Sequence, residues 1–164
     1  MGVIRTGSKV KFKDDYDGTF KDFRERILTV KSYHKKDVLT DSDTVTIEEI
    51  GKSEPHHLIS IENLEPITVI KVMGCRWFQK SCGNTYCSAK IFINDKLVHT
   101  LEIQYGYERY YEQASEEWLV KNNYIASDAG VLWRFCEENN IDYIAQAKDV
   151  KLERELKQFA SEQG

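Results

Sequence analysis

The chain has 164 residues, a formal charge of −4, 41% hydrophobic and 12% aromatic residues. Such a composition excludes a disordered chain, and the negative balance weighs against general affinity for a phosphate backbone. No apolar stretch reaches the length of a bilayer crossing and no basic-then-apolar leader opens the chain, so it reads as a soluble cytoplasmic protein, although MGVIRT with Gly2 and Thr6 fits the short myristoylation pattern.

The first 66 residues predict short strands joined by polar turns. KVKF (9–12) alternates lysines with Val10 and Phe12, as a half-buried strand does. RILTVKSY (26–33) and TVTIEEI (44–50) repeat the β-branched, period-two pattern, and HLISIENLEPI (57–67) closes the segment. DDYDG, KKDVLTDSD and GKSEPHH are the turns between them. Four or five strands this short are best buried by curling the sheet onto itself. Charge is unevenly spread across them. Residues 9–36 hold nine Lys and Arg against five acids, whereas residues 37–66 hold one Lys against eight acids.

From about residue 67 a second module begins. ITVIKVM predicts an apolar strand, YCSAKIFI its antiparallel partner, and IND a turn into KLVHTLEI. Helical spacing then takes over. Tyr107, Tyr111, Ala114 and Trp118 fall on one face of a first helix. Ser127 or Asp128 can cap a second helix carrying Leu132, Phe135 and Cys136. Asp149 can cap a third, with Leu152, Leu156 and Phe159 on one face. Strands first and helices after give an α+β layout of two modules, 1–66 and 67–164. LEPITV is too short for a flexible linker, so the two are expected to pack together.

In the first module the order GSKVKF, RILTVKSY, TVTIEEI, HLISIENLEP resembles SH3-like barrels of the KOW and Tudor kind over residues 5–66. That resemblance implies a binding fold without fixing the partner. In the second module WF-K--GNTY (77–86), QYGYERYY (104–111) and LWRFCEENNI (132–141) resemble a small domain of unassigned role from phages and prophages of Gram-positive bacteria. Cys82 and Cys87 stand there where Asn and His are often found in that domain.

CRWFQKSCGNTYC (75–87) holds three of the four cysteines. Zinc needs a tetrahedral set of Cys or His at ~2.0–2.3 Å, and Cys75, Cys82, Cys87 and Cys136 are the candidate ligands for a structural ion. His99, His56 or His57 could replace Cys136. The spacing contains no CxxC knuckle. On a straight hairpin Cys82 would lie at the tip, well over ~10 Å from the other two, so a shared metal requires the segment to fold back. The alternatives are buried free thiols, which suit Cys75 and Cys136, or redox use.

No phosphate loop, metal triad or nucleophile elbow is present, and the chain therefore reads as a binding protein rather than an enzyme. The candidate partner-binding residues are Asp41, Asp43, Glu48 and Glu49 in the acidic stretch, and Tyr105, Tyr110, Glu112 and Glu116 on the aromatic run and the acidic helix. Small acidic phage proteins of this build are similar to anti-CRISPR proteins. The resemblance implies action in a bacterial host cytoplasm on a type II RNA-guided nuclease, whose duplex lies in a positively charged channel. The alternative is a nucleic-acid-binding regulator using Lys9, Lys11, Lys13, Lys31, Lys35 and Lys36. A phage assembly part is a third reading.

Overall fold

A computed structural model describes residues 4–18, 27–35, 42–49, 56–125 and 130–162, with the side chains of Glu49, His56 and His57 left out. The fold is α+β, with three α-helices among the described residues and two sheets, one antiparallel and one mixed. The chain divides into two compact units: Met1–Thr68 with Val120–Ala129, and Val69–Leu119 with Gly130–Gly164.

In the first unit, β1 (Lys9–Phe12), β2 (Leu28–His34), β3 (Thr44–Glu49), β4 (His56–Ser60) and β5 (Leu64–Pro66) form one antiparallel sheet in the order β4-β3-β2-β1-β5. Alternation sends Val10, Phe12, Leu28, Val30, Val45, Ile47, Ile59 and Leu64 into a single buried cluster. The closing segment is two strands, because a 3-10 turn over Ile61–Asn63, opened by the Ser60 hydroxyl accepting the Glu62 N–H, separates β4 from β5. Among the described residues the edge strands β4 and β5 do not pair, so the sheet is open where a closed barrel was expected.

The second unit is built on a long hairpin. β6 (Val69–Gln79) and β7 (Asn84–Ile93) pair without interruption from Ile70↔Ile93 to Gln79↔Asn84. The four-residue turn closes with the Gly83 N–H on the Gln79 carbonyl at 2.9 Å, and Gly83 takes the left-handed conformation that turn needs. β7 reaches β8 (Lys96–Thr100) through Asn94 and Asp95, both at positive φ, as a two-residue type I′ turn demands. β9 (Gln104–Tyr105) adds to β7 beyond β8.

The helices are α1 (Tyr110–Lys121), α2 (Leu132–Glu138) and α3 (Glu153–Ser161). Glu108 at positive φ keeps Tyr107 out of α1, whose buried face is Tyr111, Ala114, Ser115 and Leu119. α2 is capped by a residue outside its own strand of sequence: the Glu116 carboxylate accepts the Leu132 N–H at 2.8 Å. The expected caps Ser127 and Asp128 lie outside the described residues. α2 ends in a Schellman turn, with Asn140 left-handed and the Ile141 N–H on the Cys136 carbonyl at 2.9 Å.

Asp149 is not a helix cap. It belongs to β10 (Asp142–Val150), which pairs parallel to β6 along its whole length and interrupts the expected run of helices. α3 starts instead at Leu152, whose N–H is taken by the Glu155 carboxylate at 2.9 Å. The sheet order β10-β6-β7-β8 leaves one face to α3, which buries Cys75 against Leu156 and Phe159. On the opposite face the Tyr111 ring of α1 lies on Gly74. A Cβ there would come within 2.7 Å of the ring, so only glycine fits.

Candidate interaction surface

The hairpin end carries several aromatic side chains, and the register explains how four of them meet. Trp77 pairs directly with Tyr86, so both rings share the α3 face and stack at 5.8 Å. Tyr105 of β9 pairs with Tyr86 on the far side and meets it edge-on at 6.0 Å. The Tyr105 hydroxyl donates to the Tyr107 hydroxyl at 2.6 Å, and the two rings are perpendicular at 5.3 Å. Phe78, one residue on from Trp77, points to the other face. Phe78, Tyr105 and Tyr107 are 52%, 52% and 49% exposed, a large apolar area to leave in water.

Two grooves flank this end. One of about 360 Å³ lies between Phe78, Tyr107 and the Arg76–Asp149 pair. The other, about 370 Å³, is formed by Trp77, Tyr86, Ile103 and Leu156 with Glu153 and Lys157 at the rim. Arg76 fixes the first. Its Nε and Nη2 reach the Asp149 carboxylate at 2.7 and 3.1 Å, and its Nη1 donates to the Glu108 carbonyl at 2.8 Å. The hydrogen bond to Asp149 raises the guanidinium pKa, so Arg76 keeps its charge at any working pH. Arg76 thereby ties β6, β10 and the loop carrying Tyr107 together, which holds the rings in place.

A second polar cluster lies where α1 meets α2 and β10. Arg109 grips Glu112 at 2.5 and 2.7 Å, and the Tyr143 hydroxyl donates to the same carboxylate at 2.8 Å. Burial works to raise the Glu112 pKa, but the hydrogen bonds from Arg109 and Tyr143 outweigh it and hold the carboxyl below its ordinary value. Trp133 stands at the rim of this groove, 47% exposed.

The four cysteines expected to share a metal are not brought together. Cys75 pairs with Ser88 and Cys87 with Arg76, so neighbouring positions in a regular ladder send Cys75 and Cys87 to opposite faces. Cys82 is exposed in the tip turn, and Cys136 is buried in α2. Burial raises the pKa of Cys75 and Cys87 and pushes Cys136 up to about 12, so all three are protonated at neutral pH. Among the described residues no group of three or more His, Cys, Asp and Glu is placed to hold a metal ion. His99 is stacked on Trp118 at 4.1 Å, and the side chains of His56 and His57 lie outside the described residues.

Of the candidate contact residues, Tyr105 alone joins the aromatic end. Tyr110 is half-buried at the start of α1, its ring so close to Gly106 that a Cβ there would fall 2.1 Å away. Glu112 and Glu116 are held by the internal bonds already described, so neither carboxylate is left free for a partner. Asp43 accepts the Tyr33 hydroxyl and Glu48 pairs with Lys31. Asp41 and the Glu49 side chain lie outside the described residues. Of the basic set, Lys9 and Lys11 share a face of β1. Lys11 is nonetheless buried against Glu65 at 2.9 Å and Asp14 at 3.4 Å, and the Lys9 ammonium donates to the Thr29 hydroxyl at 2.8 Å. Burial lowers the Lys9 pKa; at Lys11 burial acts the same way but the two carboxylates prevail and raise it. Lys13 and Lys35 are exposed, and Lys36 lies outside the described residues.

Phe78 and the Arg76–Asp149 pair were not foreseen. Phe78 was legible in principle, since adjacent Trp and Phe on a strand must face opposite ways. The ion pair was not, because 73 residues separate its members. Comparison with family models, with curated proteins and with solved structures yields no match to this chain. The resemblances drawn from the sequence therefore rest on the sequence alone. No helix among the described residues is long and apolar enough to cross a membrane.

Proposed function

We propose that the protein is a non-enzymatic binding protein whose contact surface is the aromatic end of the β6–β7 hairpin. The observation that carries this reading is the set of half-exposed rings, Phe78 and Tyr105 on paired strands and Tyr107 on the loop braced by Arg76. Aromatic side chains dominate interface energetics because they bury much area at little entropic cost, and a ring already fixed by its neighbours loses less still on binding. Grooves on both sides give a partner's side chains somewhere to seat.

The partner class is inferred from sequence resemblance: a host protein, and specifically a type II RNA-guided DNA nuclease, with the chain acting as a phage-encoded anti-CRISPR inhibitor that blocks target loading or cleavage. We assign the contact to the rings rather than to the acidic residues, a choice supported by the bonds that already engage Glu112, Glu116 and Glu48. We further infer that the first unit is an SH3-like module, supported by a first strand that pairs with both the second and the last. The test is direct binding of the purified chain to purified type II nucleases, with target cleavage read alongside. Tight binding with loss of cleavage is expected, and absence of binding to any of them would remove the assignment.

A further inference from the structure

We propose that β10 is a self-association edge, through which two copies of the chain pair antiparallel in the register that sets Asp142 opposite Lys148. Among the described residues the strand is the outermost of its sheet and pairs with β6 alone, leaving the backbone groups on its other edge without a ladder there. At nine residues, with no proline and no register shift against β6, it is long and regular. Folds normally protect such an edge with a bulge, a proline, brevity, a covering element or charged side chains, because an open ladder recruits another strand; β10 carries charges, and their arrangement decides which strand can join.

The sequence of β10 selects the occupant. Backbone groups on a strand alternate between its two edges, so in a two-fold antiparallel pair an outward residue must face an outward residue. Position numbers across the pair must then sum to an even value. Among those registers, a sum of 290 places Asp142 against Lys148 twice, once at each end, with Ala145 against Ala145 on the two-fold axis. Shifting by two in one direction sets Lys148 against Ile144 and Tyr143 against Asp149; shifting the other way leaves Asp142 against Gln146. Neither pairs opposite charges. Asp142 and Lys148 are both exposed and neither makes an ion pair among the described residues. The Lys148 ammonium lies 5.2 Å from the Phe159 ring centre, which holds the side chain over its own sheet beside the open edge. Small side chains at 145 and 147 leave room on the face opposite α3 at the centre of the join.

This surface is separate from the aromatic hairpin end and does not depend on the proposed partner. Sedimentation velocity over a wide concentration series, at low and high salt, tests it on the full chain. Reversible dimerisation that weakens with salt is expected. Asp142→Lys or Lys148→Asp turns two attractive cross-strand pairs into two repulsive ones, weakening the dimer by about tenfold or more. The double exchange Asp142→Lys with Lys148→Asp restores complementarity, and dimerisation with it. Because the double variant carries both substitutions, its recovery cannot be explained by misfolding of the single variants. A chain that stays monomeric throughout, a dimer indifferent to the single exchanges, or a double variant no better than the singles would each overturn the proposal.

Discussion

Gly74→Ala sets two effects against each other, and the structure decides between them. In an ordinary strand the change is favourable, since alanine gives up less backbone entropy than glycine, by about 0.5–1 kcal/mol. Here the new Cβ would lie 2.7 Å from Cδ2 and 2.8 Å from Cγ of Tyr111, both well inside contact distance. The obstacle is the base of a ring that is only 5% exposed, not the free end of a flexible chain. Relief requires the ring, and α1 with it, to lift off the sheet. Overpacking of this kind costs about 1–3 kcal/mol, so the clash wins by roughly 1–2 kcal/mol net. Trp77, Trp118 and Trp133 are the only tryptophans and all lie in the second unit, so tryptophan emission during urea unfolding follows that unit alone. The expected result is a lower midpoint with an unchanged slope. Tyr111→Ala is costly by itself, about 3–5 kcal/mol, but in that background Gly74→Ala becomes favourable by about 0.5–1 kcal/mol because the obstacle is gone. A Gly74→Ala midpoint equal to the parent's would refute the packing of α1 described above.

Three further predictions follow from the same geometry. A thiol reagent added to the native chain modifies Cys82 quickly and the three buried cysteines only after denaturation, so one thiol titrates before four; three fast thiols would contradict the burial of Cys75, Cys87 and Cys136. Metal content of the purified protein is expected to be the same in parent and Cys82→Ser, since the tip turn holds Cys82 away from the other sulfurs; one zinc lost in that variant would contradict the hairpin. Burial against Trp118 lowers the His99 pKa below 6.5, with the charge of Glu102 acting weakly the other way. The neutral ring is therefore the one the fold prefers. Its contribution to stability is complete above pH 6.5 and is lost as pH falls from 6.5 through the folded value. His99→Gln should flatten the urea midpoint over that window, and an unchanged pH profile would count against the stack.

Much of this architecture was legible locally. Val10, Phe12, Leu28 and Val30 declared their strands by alternation, and Asn94–Asp95 declared its turn. The apolar spacing of Leu152, Leu156 and Phe159 announced α3, although Leu152 proved to be its cap. What could not be read depends on distant partners. β10 is half exposed on both faces, with alanines and lysine between Tyr143 and Val150, so its alternation is weak and only the β6 ladder fixes it as a strand. Asp149 looked like a helix cap because its true partner, Arg76, is on another strand. The clustering of cysteines along the chain misled for the opposite reason. Three thiols within thirteen positions are close in sequence, yet a regular ladder sends two to opposite faces and carries the third to the tip. Glu112 and Glu116 read as a solvated acidic face, and only the packed helices reveal that one is gripped by Arg109 and Tyr143 and the other caps α2.

The rings at the hairpin end are the proposed contact with a host protein. The most direct measurement is the affinity of the chain for a purified type II RNA-guided nuclease, compared between the parent and Phe78→Ala, Tyr105→Ala and Tyr107→Ala. Each ring is about half exposed, so tryptophan emission should show the second unit unfolding close to the parent. The account predicts that the parent binds and suppresses target cleavage, and that at least one ring deletion weakens binding by about thirtyfold, the loss of roughly 2 kcal/mol expected of a hot spot. A parent that binds no such nuclease, or ring deletions that bind as tightly as the parent, would contradict it.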